Sequence, residues 1–350
     1  MSGPKKQVGV VGASGYGGVE LLRLLAAHPD LEVAVAAAGT QAGARAAEHT
    51  PSLAAAYPDL VYAATDPDGL DGLDCVFFAL PHGESQALVP AVLDRVGAVV
   101  DLAADFRLTD PADYPRWYGE EHAAPELLSS FAYGLPELHR DDLVGATRIA
   151  APGCYPTATL LALAPLVEAG LVAGPGLAAE GPAMVVDAAS GTSGAGRGPK
   201  ASLHFAAVDG DFTAYGLLDH RHTAEMVQGL GTDVLFTPHL APMVRGILAT
   251  CYARPAVDGL TTADALAVLR DRYAGEPFVT VVDAPPSTKA TSGANTAHLS
   301  VRVDPRTGWL VALAAIDNLV KGAAGQAVQC ANLALGLPEG AGLPTVGVYP

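Results

Sequence analysis

Residues 8–22 read Val-Gly-Val-Val-Gly-Ala-Ser-Gly-Tyr-Gly-Gly-Val-Glu-Leu-Leu, and this stretch decides the predicted fold of the N-terminal half. It begins with a short apolar strand, passes through a glycine turn and continues into a helix. The glycine spacing differs from G-x-G-x-x-G, but a glycine turn in this context predicts a Rossmann-type dinucleotide site. There the backbone approaches a pyrophosphate that rests on the helix N-terminus. The predicted cofactor contacts in this turn are Gly12, Ser14, Gly15, Tyr16, Gly17 and Gly18.

The next apolar runs extend this domain and indicate its cofactor. Residues 31–38, 73–80 and 97–102 are largely apolar, as parallel strands covered on both faces are. The run 31–38 ends in Gly39-Thr40-Gln41, with no acidic residue to hold a ribose 2′-hydroxyl. An NAD-selective site usually has one there, so the sequence favours NADP.

Three polar or turn residues follow the ends of these strands, where open α/β sheets bind ligands. Pro81 and His82 follow the run 73–80 and are predicted cofactor contacts, although His82 could instead cap its loop. A helix is predicted next, at 86–95. Arg107 lies just beyond the run 97–102 and is a candidate ligand for an anionic substrate group. Residues 111–140 are rich in turn and aromatic residues, and we expect no regular elements there.

The stretch Ala-Pro-Gly-Cys-Tyr-Pro-Thr at 151–157 precedes a second apolar helix. Pro156 suits the first turn of that helix, so Cys154 lies at its N-terminus. Unpaired N–H groups and the helix dipole favour a thiolate at such a position. Cys154 is therefore the candidate nucleophile, and the alternative is a small buried cysteine.

The C-terminal half supplies further polar candidates on what we predict to be an α+β domain with a mixed sheet. The loop at 190–198 follows a strand and suits close contact with a ligand, with Ser190 and Gly191 predicted to contact the cofactor and Arg197 to bind an anion. The sequence His220-Arg221-His222 heads a helix and predicts a general acid/base beside an anion-binding arginine, because imidazole titrates near neutral pH. Metal binding there would need further ligands that the sequence does not supply, and no metal is predicted.

Bulk composition limits the class of protein. The chain has 350 residues and a formal charge of −17, which argues against nucleic acid or an anionic membrane as the main partner. Its start does not resemble a signal peptide and no apolar run reaches the ~18 residues of a membrane span, so we expect a cytoplasmic protein. We predict a dinucleotide-binding domain at 1–150, a catalytic domain at 151–315 and, at 316–350, a long helix and tail.

Together these motifs resemble one family nearly end to end, the N-acetyl-gamma-glutamyl-phosphate reductases of arginine biosynthesis. The stretches that carry the resemblance are 12–18 (GASGYGG), 80–83 (LPHG), 101–107 (DLAADFR), 133–137 (YGLPE), 152–157 (PGCYPT), 190–197 (SGTSGAGR), 220–222 (HRH), 237–246 (TPHLAPMVRG) and 316–327 (IDNLVKGAAGQA).

The resemblance implies NADPH-dependent reduction of N-acetyl-glutamyl phosphate to the semialdehyde, with Cys154 forming a thioester and either His220 or His222 as acid/base. It further implies that Asn318 contacts the cofactor, that Arg107, Arg197 and Arg221 serve the substrate, and that the enzyme is a homo-oligomer, a dimer or tetramer. The C-terminal helix is implied to return to the cofactor domain. Four stretches depart from the family pattern, at Ala151, Ala224, Thr40 and Cys330-Ala331.

Three other functions use the same motifs. A related reductase would act on aminoadipyl or aspartyl phosphate. The aminoadipyl phosphate would be carried on an acidic protein, which needs a basic docking surface, and a net charge of −17 gives little sign of one. A thiol hydrolase would use the cysteine and histidines but would not oxidise NADPH. A non-catalytic NADP sensor would tolerate alkylation of Cys154 without loss of activity.

Overall fold

The computed structural model describes residues 4–174 and 183–349, which form two compact units. The first unit comprises 4–152 and 323–343, and the second comprises 153–174, 183–322 and 344–349. The predicted C-terminal segment, 316–350, is thus divided between the two units. No helix in the described ranges is long and apolar enough to cross a membrane.

The first unit is built on a six-stranded sheet in which every strand pair is parallel. Its order is β2-β1-β3-β4-β6-β5, and the crossovers between parallel strands confirm the predicted Rossmann-type domain. The strands are β1 (Lys6–Val11), β2 (Leu31–Ala37), β3 (Cys75–Phe78), β4 (Val99–Asp101), β5 (Ala132–Tyr133) and β6 (Arg148–Ala150). The helices within 4–152 are α1 (Tyr16–Ala26), α2 (Ala46–His49), α3 (Glu84–Leu88), α4 (Asp113–Tyr118) and α5 (Pro136–Leu143).

Two expectations for this unit were wrong. The predicted helix at 86–95 stops at Leu88 and gives way to a single 3₁₀ turn, Val89–Ala91, because Pro90 lacks the N–H that an α-helix interior needs. Residues 111–140 are regular in large part, since they contain α4, β5 and much of α5. Aromatic packing stabilises this region: the rings of Phe106 and Phe131 stack with centroids 4.1 Å apart.

The second unit contains a seven-stranded mixed sheet of order β11-β12-β13-β10-β7-β9-β8. The pairs β7/β9 and β11/β12 are parallel and the other four pairs are antiparallel, which confirms the predicted mixed sheet. The strands are β7 (Met184–Gly191), β8 (Thr213–Ala214), β9 (Val234–Ala241), β10 (Ile247–Ala253), β11 (Val279–Val281), β12 (Ala297–Val303) and β13 (Leu310–Ile316). The helices are α6 (Cys154–Glu168), α7 (Phe205–Val208), α8 (His222–Leu230), α9 (Thr262–Arg272) and α10 (Thr288–Thr291).

The long C-terminal helix predicted at 316–336 begins later than expected. Strand β13 runs to Ile316, Asp317 then accepts the N–H groups of Leu319 and Val320, and one π-helical turn, Val320–Ala324, leads into α11 (Gly325–Ala334). Helix α11 contacts α1, α5 and β4 in the first unit. The apolar pattern of 316–336 does not distinguish the end of a buried strand from the start of a buried helix, so the boundary was misplaced.

Candidate active site

Cys154 is the first residue of α6, the central helix of the second unit. Gly153 precedes it in an extended conformation, with φ −66° and ψ 154°, as the N-cap of the helix. The Cys154 side chain is half-buried, whereas the other three cysteines of the chain are buried. Burial raises the pKa of the Cys251 thiol to about 12, and the pKa of Cys75 is also raised, mainly by burial. Cys154 is therefore the thiol best placed to meet a substrate.

A buried carboxylate fixes the peptide in front of this cysteine. The N–H of Gly153 donates to Oε1 of Glu225 at 2.8 Å, and the Glu225 side chain is almost fully buried. Thr157 Oγ1 donates to the carbonyl oxygen of Gly153 at 2.9 Å, so both sides of the Gly153 unit are held. Sequence reasoning missed Glu225; its signal was the spacing of three residues from His222, which brings both onto one side of α8.

The two predicted histidines lie together beside the first turn of α6. Their ring centroids are 4.8 Å apart, and the ring of Tyr155 lies 5.7 Å from His220 and 5.9 Å from His222. The backbone N–H of His222 donates to Nδ1 of His220 at 3.2 Å. Burial, with the positive charge of Arg221 second, lowers the pKa of His220 to about 4. His220 is therefore neutral at neutral pH.

The hydroxyl groups of Tyr215 and Tyr155 form a hydrogen-bonded chain beside the two histidines. Tyr215 donates to the hydroxyl of Tyr155 at 3.1 Å, and Tyr155 donates to the carbonyl oxygen of His239 at 3.1 Å. Burial chiefly raises the pKa of both, that of Tyr215 to about 12, and the negative charge of Cys154 contributes to both shifts. The phenols thus keep their protons at neutral pH and lie near enough to the sulfur to feel its charge. The sequence did not single out either tyrosine.

The π-helical turn Val320–Ala324 packs against Cys154. A Cβ placed on Gly322 would lie 2.8 Å from Cys154 Cβ, so only a residue without a side chain fits there. The N–H of Gly322 donates to the carbonyl oxygen of Asp317 at 2.9 Å. The buried Asp317 carboxylate in turn lies 3.5 Å from an Arg245 guanidinium nitrogen. Arg245 is partly exposed and was not predicted as a site residue.

The predicted loop residues of this unit hold one another in place. A Cβ on Gly191 would lie 2.7 Å from the carbonyl oxygen of Val244, which requires glycine at that crossing. Asn318 accepts the N–H of Gly246 through Oδ1 at 2.7 Å and donates through Nδ2 to Ser193 Oγ at 3.0 Å. Asn318 thus joins the loop after β7 to the turn before β10. Ser190 is buried and donates to the Gly191 carbonyl, while Arg197 and Arg221 are exposed.

The glycine turn of the first unit fits a dinucleotide pyrophosphate. Gly12 has φ +82°, and a Cβ there would lie 2.3 Å from the carbonyl oxygen of Ala79. A Cβ on Gly18 would lie 2.2 Å from the Gly12 carbonyl oxygen. Gly15 is the extended N-cap of α1 and has no side-chain cap, so the first N–H groups of the helix are left for an anion. Ser14, Tyr16 and Gly17 complete the same turn.

His82 and Arg107 lie at the ends of β3 and β4 in this unit. His82 follows Pro81 in the loop after β3. Its Nδ1 lies 2.5 Å from Asp105 Oδ1, and its Nε2 lies 3.1 Å from Glu120 Oε1. Burial of Asp105 would raise its pKa, but His82 and the N–H groups of Gly83 and Gln86 outweigh this and lower it. Arg107 is buried and donates to the carbonyl oxygens of Leu102 and Ala151 at 2.7 and 2.8 Å. Its guanidinium therefore braces the segment that leads to the cysteine.

The predicted residues thus form two groups, one in each unit. Cys154, His220 and His222 lie around Tyr155 in the second unit, and the glycine turn, His82 and Arg107 follow the strand ends of the first. Among the described residues, no three His, Cys, Asp or Glu side chains are grouped as a metal ion would need.

The parallel Rossmann-type sheet and the mixed-sheet unit, whose first helix starts at the half-buried Cys154, fit the semialdehyde dehydrogenase class. Residues 7–146 match the family model described as semialdehyde dehydrogenase, NAD binding domain, and residues 154–318 match the one described as semialdehyde dehydrogenase, dimerisation domain. Aspartate semialdehyde dehydrogenase from Candida albicans, solved with NADP, has the same fold at a TM-score of 0.68 and 17% identity, over 95% of this chain and 98% of that one.

Relatives of higher sequence identity show which family within this class the chain belongs to. N-acetyl-gamma-glutamyl-phosphate reductases from Symbiobacterium thermophilum and Saccharopolyspora erythraea are 48% and 49% identical to this chain, each over 98% of it and 99% of the relative. The chain belongs to the N-acetyl-gamma-glutamyl-phosphate reductase family.

Proposed function

We propose that this enzyme reduces N-acetyl-gamma-glutamyl phosphate to N-acetyl-glutamate semialdehyde with NADPH, through a thioester on Cys154. The observation that carries the proposal is the half-buried Cys154 at the start of α6, grouped with two histidines in a chain of this family. The test is phosphate-dependent reduction of NADP⁺ by the semialdehyde, followed at 340 nm, which a thiol hydrolase would not give. Absence of this activity in the purified protein would contradict the proposal.

The chemistry begins at the sulfur. Cys154 attacks the acyl carbon, the bond from carbon to the phosphate oxygen breaks, and phosphate leaves with the bonding electrons. The hydride that reduces the resulting thioester would come from NADPH when it is bound. The thiohemiacetal, with its oxygen still negatively charged, then re-forms the C=O bond and expels the sulfur, which gives the aldehyde and frees Cys154. The N-terminal N–H groups of α6 and the helix dipole stabilise negative charge on the sulfur in both half-reactions.

We assign the proton transfer to His222. His220, with its pKa lowered to about 4 by burial, is not an imidazolium at neutral pH, and its Nδ1 accepts the backbone N–H of His222. His222 takes the thiol proton as Cys154 attacks and returns it when the carbon–sulfur bond breaks. His220 then serves mainly to position the first turn of α8, packed against Tyr155.

Anion recognition is divided among several arginines in this proposal. Arg197 and Arg221 are exposed and suit the phosphate, for which guanidinium is a bidentate donor. Arg245, partly exposed and oriented by Asp317, suits the free carboxylate of the substrate. The buried Arg107 acts through its two backbone carbonyl partners and positions the chain before Cys154.

NADP preference rests on the end of β2. Thr40 is exposed in the turn after this strand, and no acidic residue occupies the place that would bind a ribose 2′-hydroxyl. Gly12, Ser14, Gly15, Tyr16, Gly17 and Gly18 would hold the pyrophosphate, with Pro81, His82, Ser190, Gly191 and Asn318 as further cofactor contacts. Residues 1–150 would carry the cofactor and 151–315 the chemistry, in a cytoplasmic enzyme.

The alternative substrates are aminoadipyl and aspartyl phosphate. Aminoadipyl phosphate would be presented on an acidic carrier protein, which favours a basic surface. A chain with a formal net charge of −17 does not offer such a surface in general. The identity of 48% to a named N-acetyl-gamma-glutamyl-phosphate reductase favours the glutamyl substrate. Steady-state kcat/KM on the three acyl phosphates ranks them, and a preference for either of the others would overturn this choice.

We further propose that the enzyme is a homo-oligomer joined through the open face of the seven-stranded sheet. Helices α6, α8 and α9 lie on one face, and on the other, here called the open face, Leu235 and Tyr252 are 40% and 38% exposed. Strand β10 is the middle strand of the seven, and Thr250 is its middle residue. Two such faces can pack as stacked sheets around a two-fold axis near Thr250.

The oligomer has a direct test. Leu248→Arg places a charge on the open face, so light scattering should report a smaller particle than for the wild-type protein. Val144→Arg changes a residue that is 62% exposed in the first unit and should leave the size unchanged. A Leu248→Arg protein of wild-type size would contradict the proposed interface.

A further inference from the structure

The last residues of the chain bind to the second unit in an ordered way. Residues 344–349, here called the C-terminal strap, follow the part of the chain that belongs to the first unit. The carbonyl oxygen of Pro344 accepts the N–H of Asn295 at 2.8 Å, and the N–H of Val348 donates to the carbonyl oxygen of Ser292 at 2.7 Å. A Cβ on Gly347 would lie 2.2 Å from the carbonyl oxygen of Ala290, so the two backbones are in direct contact.

The segment that the strap holds, 288–295, leads to the Arg245 side chain. The N–H of Gly293 donates to Oδ2 of Asp317 at 2.7 Å, and the same oxygen lies 3.5 Å from Arg245 Nη1. At the other end of the segment, Thr288 packs so closely against Gly246 that a Cβ there would lie 2.7 Å from Thr288 Cβ. The segment 288–295 therefore contacts the Arg245–Gly246 turn both directly and through Asp317.

We propose that the C-terminal strap positions Arg245 for the carboxylate of the substrate. By holding 288–295, the strap keeps the Gly293 N–H on Asp317, and Asp317 keeps the guanidinium at one orientation. This inference rests on the proposed function, because it assigns Arg245 to the substrate. Strap residues are positioning residues, since none of them is argued to touch the substrate.

The charge arrangement explains why such positioning matters. An arginine binds a carboxylate best with two parallel hydrogen bonds, which demands a fixed plane for the guanidinium. Asp317 is fully buried and the Arg245 side chain is 29% exposed, so the buried carboxylate orients a guanidinium that reaches the surface. The N–H groups of Leu319 and Val320 hold Oδ1 of Asp317, whereas the Gly293 N–H holds Oδ2, the oxygen that faces Arg245. Without the Gly293 N–H we expect Oδ2 to shift and Arg245 to lose its fixed orientation.

Two variants test the strap. A chain that ends at Leu343 removes it, and Gly347→Val forces it away from Ala290. In the phosphate-dependent oxidation of the semialdehyde, both should raise the KM for the semialdehyde about tenfold, with kcat and the KM for NADP⁺ changed less than about twofold. Val346→Ser alters a strap side chain that is 80% exposed and should behave as wild type. An unchanged KM for the semialdehyde, or equal rises in both KM values, would overturn the proposal.

Arg245→Lys shows whether the strap acts through Arg245. In the Arg245→Lys background, truncation at Leu343 should change the KM for the semialdehyde by less than about twofold, because the group that the strap positions is already altered. A further tenfold rise in the double variant would mean that the strap acts elsewhere.

Hydrogen exchange at the Gly293 amide separates this inference from the proposed function. The truncated chain should exchange this amide about tenfold faster or more than the full chain, whether or not either one is active. Unchanged protection at Gly293 would contradict the strap on its own. Inactivity of the full-length enzyme on the semialdehyde, with the exchange result as expected, would contradict the substrate but keep the strap's structural role.

Discussion

Gly322 lies directly against Cys154, with room for hydrogen and for nothing larger: a Cβ at position 322 would come within 2.8 Å of Cys154 Cβ. The contact joins the start of α6 to the π-helical turn that follows β13. A π-turn is a rare element that is frequent at functional sites. Here it places Gly322 against Cys154, the proposed nucleophile.

Gly322→Ala should therefore displace the sulfur and lower kcat. We expect a loss of about tenfold or more, since small misplacements of a nucleophile are costly. Gly69→Ala is the matched control, because a Cβ at Gly69 meets nothing within 4 Å. Wild-type kcat in Gly322→Ala would mean that the contact does not position Cys154.

Glu225 offers a second test of how Cys154 is positioned. Glu225→Ala removes the acceptor of the Gly153 N–H and leaves that donor buried, which should lower stability by about 1–3 kcal/mol and kcat by about tenfold. Glu225→Gln keeps an oxygen at the same place and should retain most of the activity. If the glutamine variant were as impaired as the alanine variant, the negative charge of Glu225 and not its hydrogen bond would be what matters.

Cofactor choice can be altered at the end of β2. Thr40→Asp supplies a carboxylate where NAD-selective sites carry one, so it should lower kcat/KM for NADPH and raise it for NADH. The ratio of the two kcat/KM values is the measurement, and Thr40→Ser is its control. An unchanged ratio would place 2′-phosphate recognition elsewhere in the first unit.

The buried Asp101 predicts a pH dependence of stability. Burial raises its pKa from 3.8 to about 7, despite the hydrogen bond from Ser85 Oγ at 2.7 Å. Between about pH 4 and 7 the folded chain keeps a proton that the unfolded chain has lost, so this group makes the protein less stable as pH rises through that window.

Asp101→Asn removes this titration while keeping an oxygen for Ser85. The difference in Tm between Asp101→Asn and the wild-type protein should therefore grow in favour of the variant from pH 4 to 7 and level off above. Thermal unfolding followed at half-unit pH intervals measures it. A constant difference across the window would show that Asp101 does not titrate there.

The sequence predicted the first unit well because its signals are local. A glycine turn between an apolar strand and a helix is specified within about a dozen residues, and Gly12 occupies the positive φ that such a turn requires. Cys154 was likewise predicted at a helix N-terminus, from Pro156 and the apolar helix that follows it. The helix at 86–95 was overpredicted because Pro90 was given too little weight.

The remaining site residues depend on contacts between distant parts of the chain. Glu225 and Gly153 are separated by 72 residues, and Arg245 and Asp317 also by 72, so no local pattern pairs them. Gly322 lay inside a segment interpreted as continuous helix, where a glycine indicates only close packing. The aromatic packing that orders 111–131 was likewise invisible, because aromatic and turn residues serve loops and helices alike.

The central claim is a covalent bond between Cys154 and the substrate acyl group. Incubation with the acyl phosphate in the absence of NADPH, followed by acid quenching and mass spectrometry of the digested protein, tests it directly. We predict an N-acetyl-glutamyl adduct on the peptide that contains Cys154, lost on adding NADPH and absent from Cys154→Ser, which should still bind NADPH with wild-type affinity. An active enzyme that forms no adduct, or an adduct on another cysteine, would contradict the account.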